Sequence, residues 1–167
     1  MKNYFIIIGF CLTSLFSCNS NQTNELPIKH NKHKSNIEIP FREDGGTKYV
    51  QVKVNGISLE AIFDTGCEFG ISMSMLELDI LAKNGTIAQY DILGTTTASI
   101  ADGSQVETMK VRLHKVELGE NLILEDVIAS VDFNMDAPVL LGTAVLDNVS
   151  NSYKIDNDKH VIEFSKK

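Results

Sequence analysis

The segment that most constrains how this chain can fold consists of two strand-forming runs followed by an Asp-Thr-Gly triplet. The runs cover residues 49–54 and 57–63, and the triplet begins at Asp64. Asn55-Gly56 separates the runs, and Asn-Gly in such a position is the strongest short-range signal of a two-residue type I′ hairpin turn. The pattern predicts a β-hairpin that places the carboxylate of Asp64 at the end of its second strand.

Asp64 is an uncommon residue to find next to apolar strand positions. A carboxylate buried there costs several kcal/mol of free energy unless it is hydrogen-bonded or shares a proton. Thr65 adds a hydroxyl, and Gly66 lets other groups approach its backbone closely because it has no side chain. One interpretation is structural, since Asp, Thr and Gly in this order can form an Asx-type turn. The other interpretation is that Asp64 has a chemical function.

In these residues the chain resembles the retropepsin-like aspartic proteases, especially their small bacterial single-domain members. The resemblance covers about residues 39–164 and includes Ile71-Ser72, which follow the triplet. Residues 97–103 are similar to the flap of such proteins. Leu140-Leu141-Gly142 is similar to the second signature of the family, at which the chain passes beside the catalytic loop and enters a short helix.

The chain departs from the usual family pattern at two places. Cys67 follows the triplet where alanine or serine is usual, and Thr143-Ala144 replaces the common Met/Asn-Asp/Ser pair after Leu-Leu-Gly. Two alternatives to catalysis by Asp64 therefore stay open. One is a non-catalytic protein that binds a peptide or another partner in the groove under the flap. The other is a protein that acts through the thiol of Cys67, although neither His114 nor His160 is an evident partner for that thiol.

The resemblance implies an all-β fold, a small closed or folded-over β-barrel with one or two short helices. The remaining sequence agrees, because many short strands at regular spacing with few helices are typical of barrels and sandwiches. Ser74-x-x-Glu77 predicts a capping box at the start of a helix that ends near Asn84-Gly85. Two more hairpins are predicted over residues 94–118 and 153–164, and an edge strand that meets a proline over residues 37–41.

The activity that the resemblance implies is hydrolysis of peptide bonds by two carboxylates that share one proton. Two such groups about 3 Å apart cannot both ionise, so one acts as an acid while the other activates water. The sequence contains a single Asp-Thr-Gly and is too short for two lobes. We therefore expect a homodimer that brings two Asp64 side chains together. Water is the nucleophile, so neither a metal nor another cofactor is required.

Other residues have implied roles in that dimer. Thr65 would hydrogen-bond across the twofold axis, and the backbone N–H of Gly66 would point at the carboxylate. Ala101, Asp102 and Gly103 would form the tip of the flap, which closes over an extended peptide substrate and excludes water. Asp-Gly is also an ordinary hairpin turn, so the prediction for Asp102 concerns its position alone.

The start of the chain predicts export and lipidation. A basic residue and an apolar stretch precede Leu15-Phe16-Ser17-Cys18, which resembles a bacterial lipobox. Residues 1–17 are therefore expected to be a signal peptide, too short to span a bilayer, with Cys18 acylated after cleavage. Asn19 is not the aspartate associated with inner-membrane retention. We expect a lipid-anchored protein of the bacterial cell envelope, in the outer membrane rather than the inner one.

The rest of the chain is expected to comprise a tether and one domain. Residues 18–36 are polar without an apolar period, which predicts a flexible lipidated tether, and residues 37–167 are long enough for one protease domain. The net charge is −7, or −7 − 1 = −8 without the signal peptide and its Lys2. Such an acidic chain has no general attraction to nucleic acid. Cys67 is the one cysteine of the predicted domain, so no disulfide framework is expected.

Overall fold

The structure is a computed structural model that describes residues 36–67, 69–99, 103–147 and 150–166. The chain divides into two units, residues 1–32 and 33–167, and every described residue belongs to the second. The predicted signal peptide, the lipidation site at Cys18 and nearly all of the predicted tether lie outside the described residues, as do Ala101 and Asp102 of the predicted flap tip. Those assignments and the domain boundaries stay predictions.

The described part of the chain is built mainly of strands. In chain order the elements are β1 (Asn36–Asp44), β2 (Thr47–Val54), β3 (Ile57–Asp64), β4 (Ile71–Ser74), α1 (Met75–Lys83), a 3₁₀ turn (Gln89–Asp91), β5 (Ile92–Ser99), β6 (Gln105–Leu118), β7 (Leu122–Asp132), β8 (Val139–Gly142), α2 (Ala144–Asp147), β9 (Ser150–Asp156) and β10 (Val161–Lys166). Neither helix of this part has the length and apolar content needed to cross a membrane.

Six strands close into a barrel. They follow one another in the order β6, β7, β4, β8, β3 and β2, and the pairing of Val52–Val54 on β2 with β6 completes the circle. Strand β5 extends the sheet from β6, while β1, β10 and β9 extend it from β2. The predicted all-β fold with a closed barrel and two short helices is confirmed.

The hairpin of β2 and β3 has the predicted two-residue turn. Asn55 and Gly56 have φ angles of 48° and 89°, the left-handed values that a type I′ turn requires. The side chain of Asn55 also fixes the turn to its surroundings, because its Nδ2 donates to the carbonyl oxygen of Thr86 at 2.8 Å and its Oδ1 accepts from the backbone N–H of Lys115 at 2.9 Å. The start of the strand that ends at Asp64 is therefore fixed in position.

Helix α1 begins with the predicted capping box. The hydroxyl of Ser74 accepts from the backbone N–H of Leu76 at 3.0 Å, and the carboxylate of Glu77 accepts from the backbone N–H of Ser74 at 3.0 Å. The helix ends at the predicted Asn84-Gly85, where Gly85 has a φ angle of 68°. The strand before the helix, β4, was not predicted, because four buried residues are too few to show a period.

The prediction that the first strand lies at a sheet edge is wrong. Strand β1 lies between β10 and β2 and changes partner along its length. Its residues Asn36–Pro40 pair with β10, and Phe41–Asp44 pair with β2. Pro40, which has no N–H to donate, is the last residue before the change. A proline at such a change of partner gives the same sequence pattern as a proline on an edge strand.

The core inside the barrel anchors the two strands that carry the family-like signatures. On β3, Ala61 and Phe63 are buried, and on β8, Val139 and Leu141 are buried. Burial of a side chain as large as that of Phe63, Val139 or Leu141 stabilises the fold by about 1.5–3 kcal/mol. Phe63 also contacts the ring of Tyr153 edge-on, with centroids 5.5 Å apart. The strand segments next to Asp64 and Gly142 are therefore anchored in the hydrophobic core.

Candidate active site

Asp64 lies where the two signatures meet. Strands β3 and β8 run parallel, with Ile62 opposite Leu140 and Asp64 opposite Gly142. Helix α2 begins two residues after Gly142, at Ala144. The structure therefore places the Leu-Leu-Gly segment beside the Asp-Thr-Gly loop and before a short helix, as the resemblance implied.

The loop after Asp64 orients its half-buried carboxylate. The backbone N–H of Gly66 donates to Oδ1 of Asp64 at 2.8 Å, which is the contact that the resemblance implied. The backbone N–H of Cys67 donates to the carbonyl oxygen of Asp64 at 3.2 Å, and the N–H of Gly142 donates to the carbonyl oxygen of Gly70 at 2.6 Å. The bond from Gly66 is also what an Asx-type turn provides, so this contact is common to the structural and the catalytic interpretations.

Thr65 and Gly66 are exposed at the surface of the single chain, whereas Asp64 and Cys67 are half-buried. The hydrogen bond expected for Thr65 would go to a second copy of the chain, so it lies outside what one chain can display. The side chain of Thr65, next to the Asp64 carboxylate, is therefore accessible to another subunit.

A cavity of about 520 Å³ opens beside the Asp64 carboxylate. Its lining includes the loop itself, with Asp64, Gly66 and Cys67, and the β5–β6 hairpin, with Ala98 and Val106. The predicted hairpin over residues 94–118 is thus present, and it lines the same cavity as the Asp64 loop. Gly103 belongs to the turn region of this hairpin, is exposed and has a φ angle of 83°.

The floor of this cavity contains polar side chains that the sequence did not single out. Ser72, Thr108 and Ser130 are buried, and Asp132 is half-buried at the end of β7. They belong to three separate strands, so no motif joins them. The signal that could have revealed these residues was a polar side chain at strand positions where the sequence pattern predicts a buried apolar one.

Cys67 lines the cavity next to Asp64 and is not in a disulfide. Neither histidine weighed as its partner lines the cavity: His114 lies 2.9 Å from Asp91, and His160 packs against the ring of Phe41. Within the residues that the structure describes, no three His, Cys, Asp or Glu side chains are grouped closely enough to hold a metal ion. The Asp64 carboxylate is therefore the side-chain group of this cavity that is best suited to acid–base chemistry.

Comparison with solved structures identifies the class of fold. The chain is similar to a retropepsin-like aspartic protease from Rickettsia conorii, with 18% sequence identity and a TM-score of 0.54, over 78% of this chain and 91% of that one. It is also similar to the retroviral protease-like domain of Ddi1 from Leishmania major, with 14% identity and a TM-score of 0.45, over 70% of this chain and 86% of that one. The sequence matches no protein-family model and no curated relative.

The first of these likenesses carries the conclusion about the fold. The two chains share few residues but correspond over most of both lengths, so the chain has the retropepsin-like fold that the sequence predicted.

Proposed function

We propose that this protein is an aspartic endopeptidase that acts as a homodimer on extended peptides. The observation that carries the proposal is the position of Asp64. Its carboxylate lies at the end of a barrel strand, accepts a hydrogen bond from Gly66, and borders a cavity that is also lined by a β-hairpin. This arrangement occurs within a retropepsin-like fold.

The proposed chemistry uses one Asp64 from each subunit and a water molecule. The ionised carboxylate takes a proton from the water, whose oxygen attacks the peptide carbonyl carbon. The protonated carboxyl donates its proton to the carbonyl oxygen, which gives a tetrahedral intermediate. When the C–N bond breaks, the carboxyl that took its proton from water gives that proton to the leaving nitrogen, and the other carboxylate recovers a proton from a hydroxyl of the intermediate.

Two features support pairing of two chains. The sequence contains one Asp-Thr-Gly, so a pair of such loops requires two copies. Thr65 and Gly66 are exposed in the single chain, which leaves the loop open to a second loop related by twofold symmetry. In the proposed dimer the β5–β6 hairpin of each subunit covers the peptide, with Ala101, Asp102 and Gly103 at its tip.

The proposal is tested by Asp64→Asn, which keeps the side-chain shape and removes the acid. We expect cleavage of an unstructured peptide library at mildly acidic pH to fall by about 10²–10⁴-fold, the contribution of a positioned acid or base. The dimer and the unfolding midpoint should stay unchanged. Asp158→Asn, at an exposed turn, is the matched control and should retain full activity. Retained cleavage in Asp64→Asn would refute the proposal.

A non-catalytic role in peptide binding is the second candidate, and the observation that favours it is Cys67. Its thiol lines the cavity next to Asp64, at a position where the family pattern has alanine or serine. The measurement is peptide binding by the wild-type chain during prolonged incubation. Binding without any product, unaffected by Asp64→Asn, would support this candidate over the peptidase.

We further propose that the protein is anchored to the bacterial envelope through lipid on Cys18, with the outer membrane as the expected site. The lipobox-like segment before Cys18 supports this proposal. Cys18→Ser should release the protein from the membrane fraction, whereas Cys67→Ser should leave it there. A wild-type protein that carries no acyl group by mass spectrometry would refute the proposal.

A further inference from the structure

Four polar side chains form a continuous patch on the floor of the Asp64 cavity. Thr108 on β6 is opposite Asp132 on β7, and Ser72 on β4 is opposite Ser130 on β7. Ser130 and Asp132 are two residues apart on one strand, so their side chains point to the same face of the sheet. The register of three strands therefore gathers these groups, and all four line the cavity.

The hydroxyl of Thr108 shows that the patch is incomplete in the single chain. Thr108 is 3% exposed, and its Oγ1 has no hydrogen-bond partner among the residues that the structure describes. A buried hydroxyl without a partner is unfavourable, because it has lost its water without gaining another bond. Oγ1 therefore has unused hydrogen-bonding capacity, and Thr108 is one of the residues that line the cavity.

Asp132 gives the patch its charge. Its Oδ1 accepts from the backbone N–H of Asn134 at 2.8 Å, and in the described part of the chain no Lys, Arg or His is paired with this carboxylate. The described lining of the cavity contains two carboxylates, Asp64 and Asp132, and no basic side chain. A guest that carries a positive charge and several N–H donors would satisfy these acceptors.

The remaining cavity wall suits the stem of such a guest. Ala98, Val106, Met135 and Leu140 line it with apolar atoms above the polar floor. Lysine and arginine bury an apolar stem against such a surface while their charged end reaches a polar group. The charged end of the guest loses water when it enters the cavity, and the carboxylate of Asp132 beside it offsets the free-energy cost of that desolvation. Neutral hydroxyl groups alone would offset less of the cost.

We propose that this patch is a specificity subsite that accepts a lysine or arginine side chain of the peptide, next to the bond that is cleaved. The proposal rests on the proposed peptidase function, and it adds the substrate class. Asp132 receives the positive charge, and the hydroxyls of Ser72, Thr108 and Ser130 accept the remaining N–H groups.

The test compares paired peptides that differ at one position in lysine or norleucine, a residue with a lysine-like stem but no ammonium group. Each position beside the cleaved bond is tested in turn with the full-length protein. We expect one position at which lysine raises kcat/KM by about tenfold or more over norleucine, the effect of a charge-assisted hydrogen bond. An equal kcat/KM at every position overturns the subsite while leaving the peptidase intact.

Asp132→Asn tests the assignment to this carboxylate. The variant keeps an oxygen that can accept from Asn134, so the fold should hold, and the lysine-to-norleucine ratio should fall to about one because the charge is gone. Asp136→Asn, an exposed carboxylate of the same loop, is the matched control and should keep the wild-type ratio. A uniform loss of cleavage with an unchanged ratio in Asp132→Asn would make Asp132 part of the catalytic machinery and overturn the subsite.

Peptide binding separates the two proposals. Binding of the same peptide pair to Asp64→Asn protein, measured by calorimetry, requires no turnover. Tighter binding of the lysine peptide, abolished by Asp132→Asn, supports the subsite even if the wild-type protein never cleaves a peptide. Equal binding of both peptides without cleavage by the wild-type protein overturns both proposals.

Discussion

Gly142 and Cys67 are packed so closely that no side chain fits between them. A Cβ atom on Gly142 would lie 2.1 Å from the carbonyl oxygen of Cys67 and 3.2 Å from its Cβ atom. Gly142 lies opposite Asp64 in the β3–β8 pairing, so the absence of a side chain lets the loop after Asp64 approach β8. The glycine of the late Leu-Leu-Gly segment thus helps to set the position of the carboxylate in the candidate site.

Gly142→Ala is expected to displace this loop. The added carbon must push the Cys67 backbone away, because neither neighbour is the end of a flexible side chain. We expect the free energy of unfolding to fall by about 3 kcal/mol, as for an overpacked core, and kcat/KM to fall by about 100-fold if Asp64 moves by about 1 Å. Urea unfolding and peptide cleavage measure the two effects.

Gly85→Ala is the control for this substitution. Gly85 has a φ angle of 68° but open space around its missing side chain, so alanine brings backbone strain without a clash. We expect the free energy of unfolding to fall by about 1–2 kcal/mol. The rate of cleavage should fall only in proportion to any loss of folded protein. Equal activity in the two variants would show that the Gly142–Cys67 approach does not position Asp64.

Cys67→Ser distinguishes the peptidase from a thiol-dependent protein. Serine is one of the residues usual at this position in the resembling family, and it preserves the size of the side chain while removing the thiolate chemistry. We expect cleavage within about threefold of wild type and an unchanged dependence on Asp64, since the proposed nucleophile is water. A complete loss of activity in Cys67→Ser with a normal unfolding midpoint would favour chemistry by the thiol.

The elements that the sequence predicted well are those that neighbouring residues determine. The Asn55-Gly56 turn and the Ser74–Glu77 capping box are complete within a few residues, so their signals can be read in a short window. The position of Asp64 at a strand end follows from the same hairpin. Its neighbour across the sheet, Gly142, became predictable through the family resemblance.

The parts that the sequence did not predict depend on the register of distant strands. Strand β4 is recognised by its pairing with β7 and β8, and its four buried residues show no alternation. Ser72, Thr108 and Ser130 come from β4, β6 and β7, so the polar floor exists only once these strands are aligned. The change of pairing partner along β1 likewise could not be predicted from residues 37–41, because Pro40 indicated a strand at the edge of the sheet.

The pair formed by Asp91 and His114 was also missed, because it joins the 3₁₀ turn to β6. The side chain of Asp91 is 2% exposed, and Nε2 of His114 lies 2.9 Å from its Oδ1. The geometry of this contact is not that of an aligned hydrogen bond, whereas Oδ2 accepts from the backbone N–H of Ala88 at 2.9 Å. The pair connects the start of β5 to β6 at the base of the proposed flap hairpin.

We expect His114→Ala to destabilise the fold, because a buried carboxylate loses a close partner. The free energy of unfolding should fall by about 1–3 kcal/mol, since water can partly replace an imidazole that is 47% exposed. Lys115→Ala is the control on the same strand: it removes a partly exposed ion pair with Glu117 and should cost less than about 1 kcal/mol. Equal costs in urea unfolding would show that burial of Asp91 adds nothing to the pair.

Asp156 stabilises the β9–β10 hairpin in a way that depends on pH. Its Oδ1 accepts from the backbone N–H of Lys159 at 3.1 Å, and Nζ of Lys154 lies 3.4 Å from its Oδ2. The backbone hydrogen bond, with help from these two lysines, holds the pKa of Asp156 below its usual value of 3.8. Because the folded state favours the ionised form, this stabilisation is complete above about pH 5 and is lost as the pH falls through the folded pKa.

Asp156→Asn should therefore lower the urea midpoint of unfolding at neutral pH and have a shrinking effect in acid. Asparagine can still accept from Lys159, so the part of the difference that disappears below about pH 4 reports the charge. Asp158→Asn, in the same turn with an exposed side chain, should give no comparable trend. A difference between wild type and Asp156→Asn that stays constant from neutral to acidic pH would mean that Asp156 acts through its shape and not through its carboxylate charge.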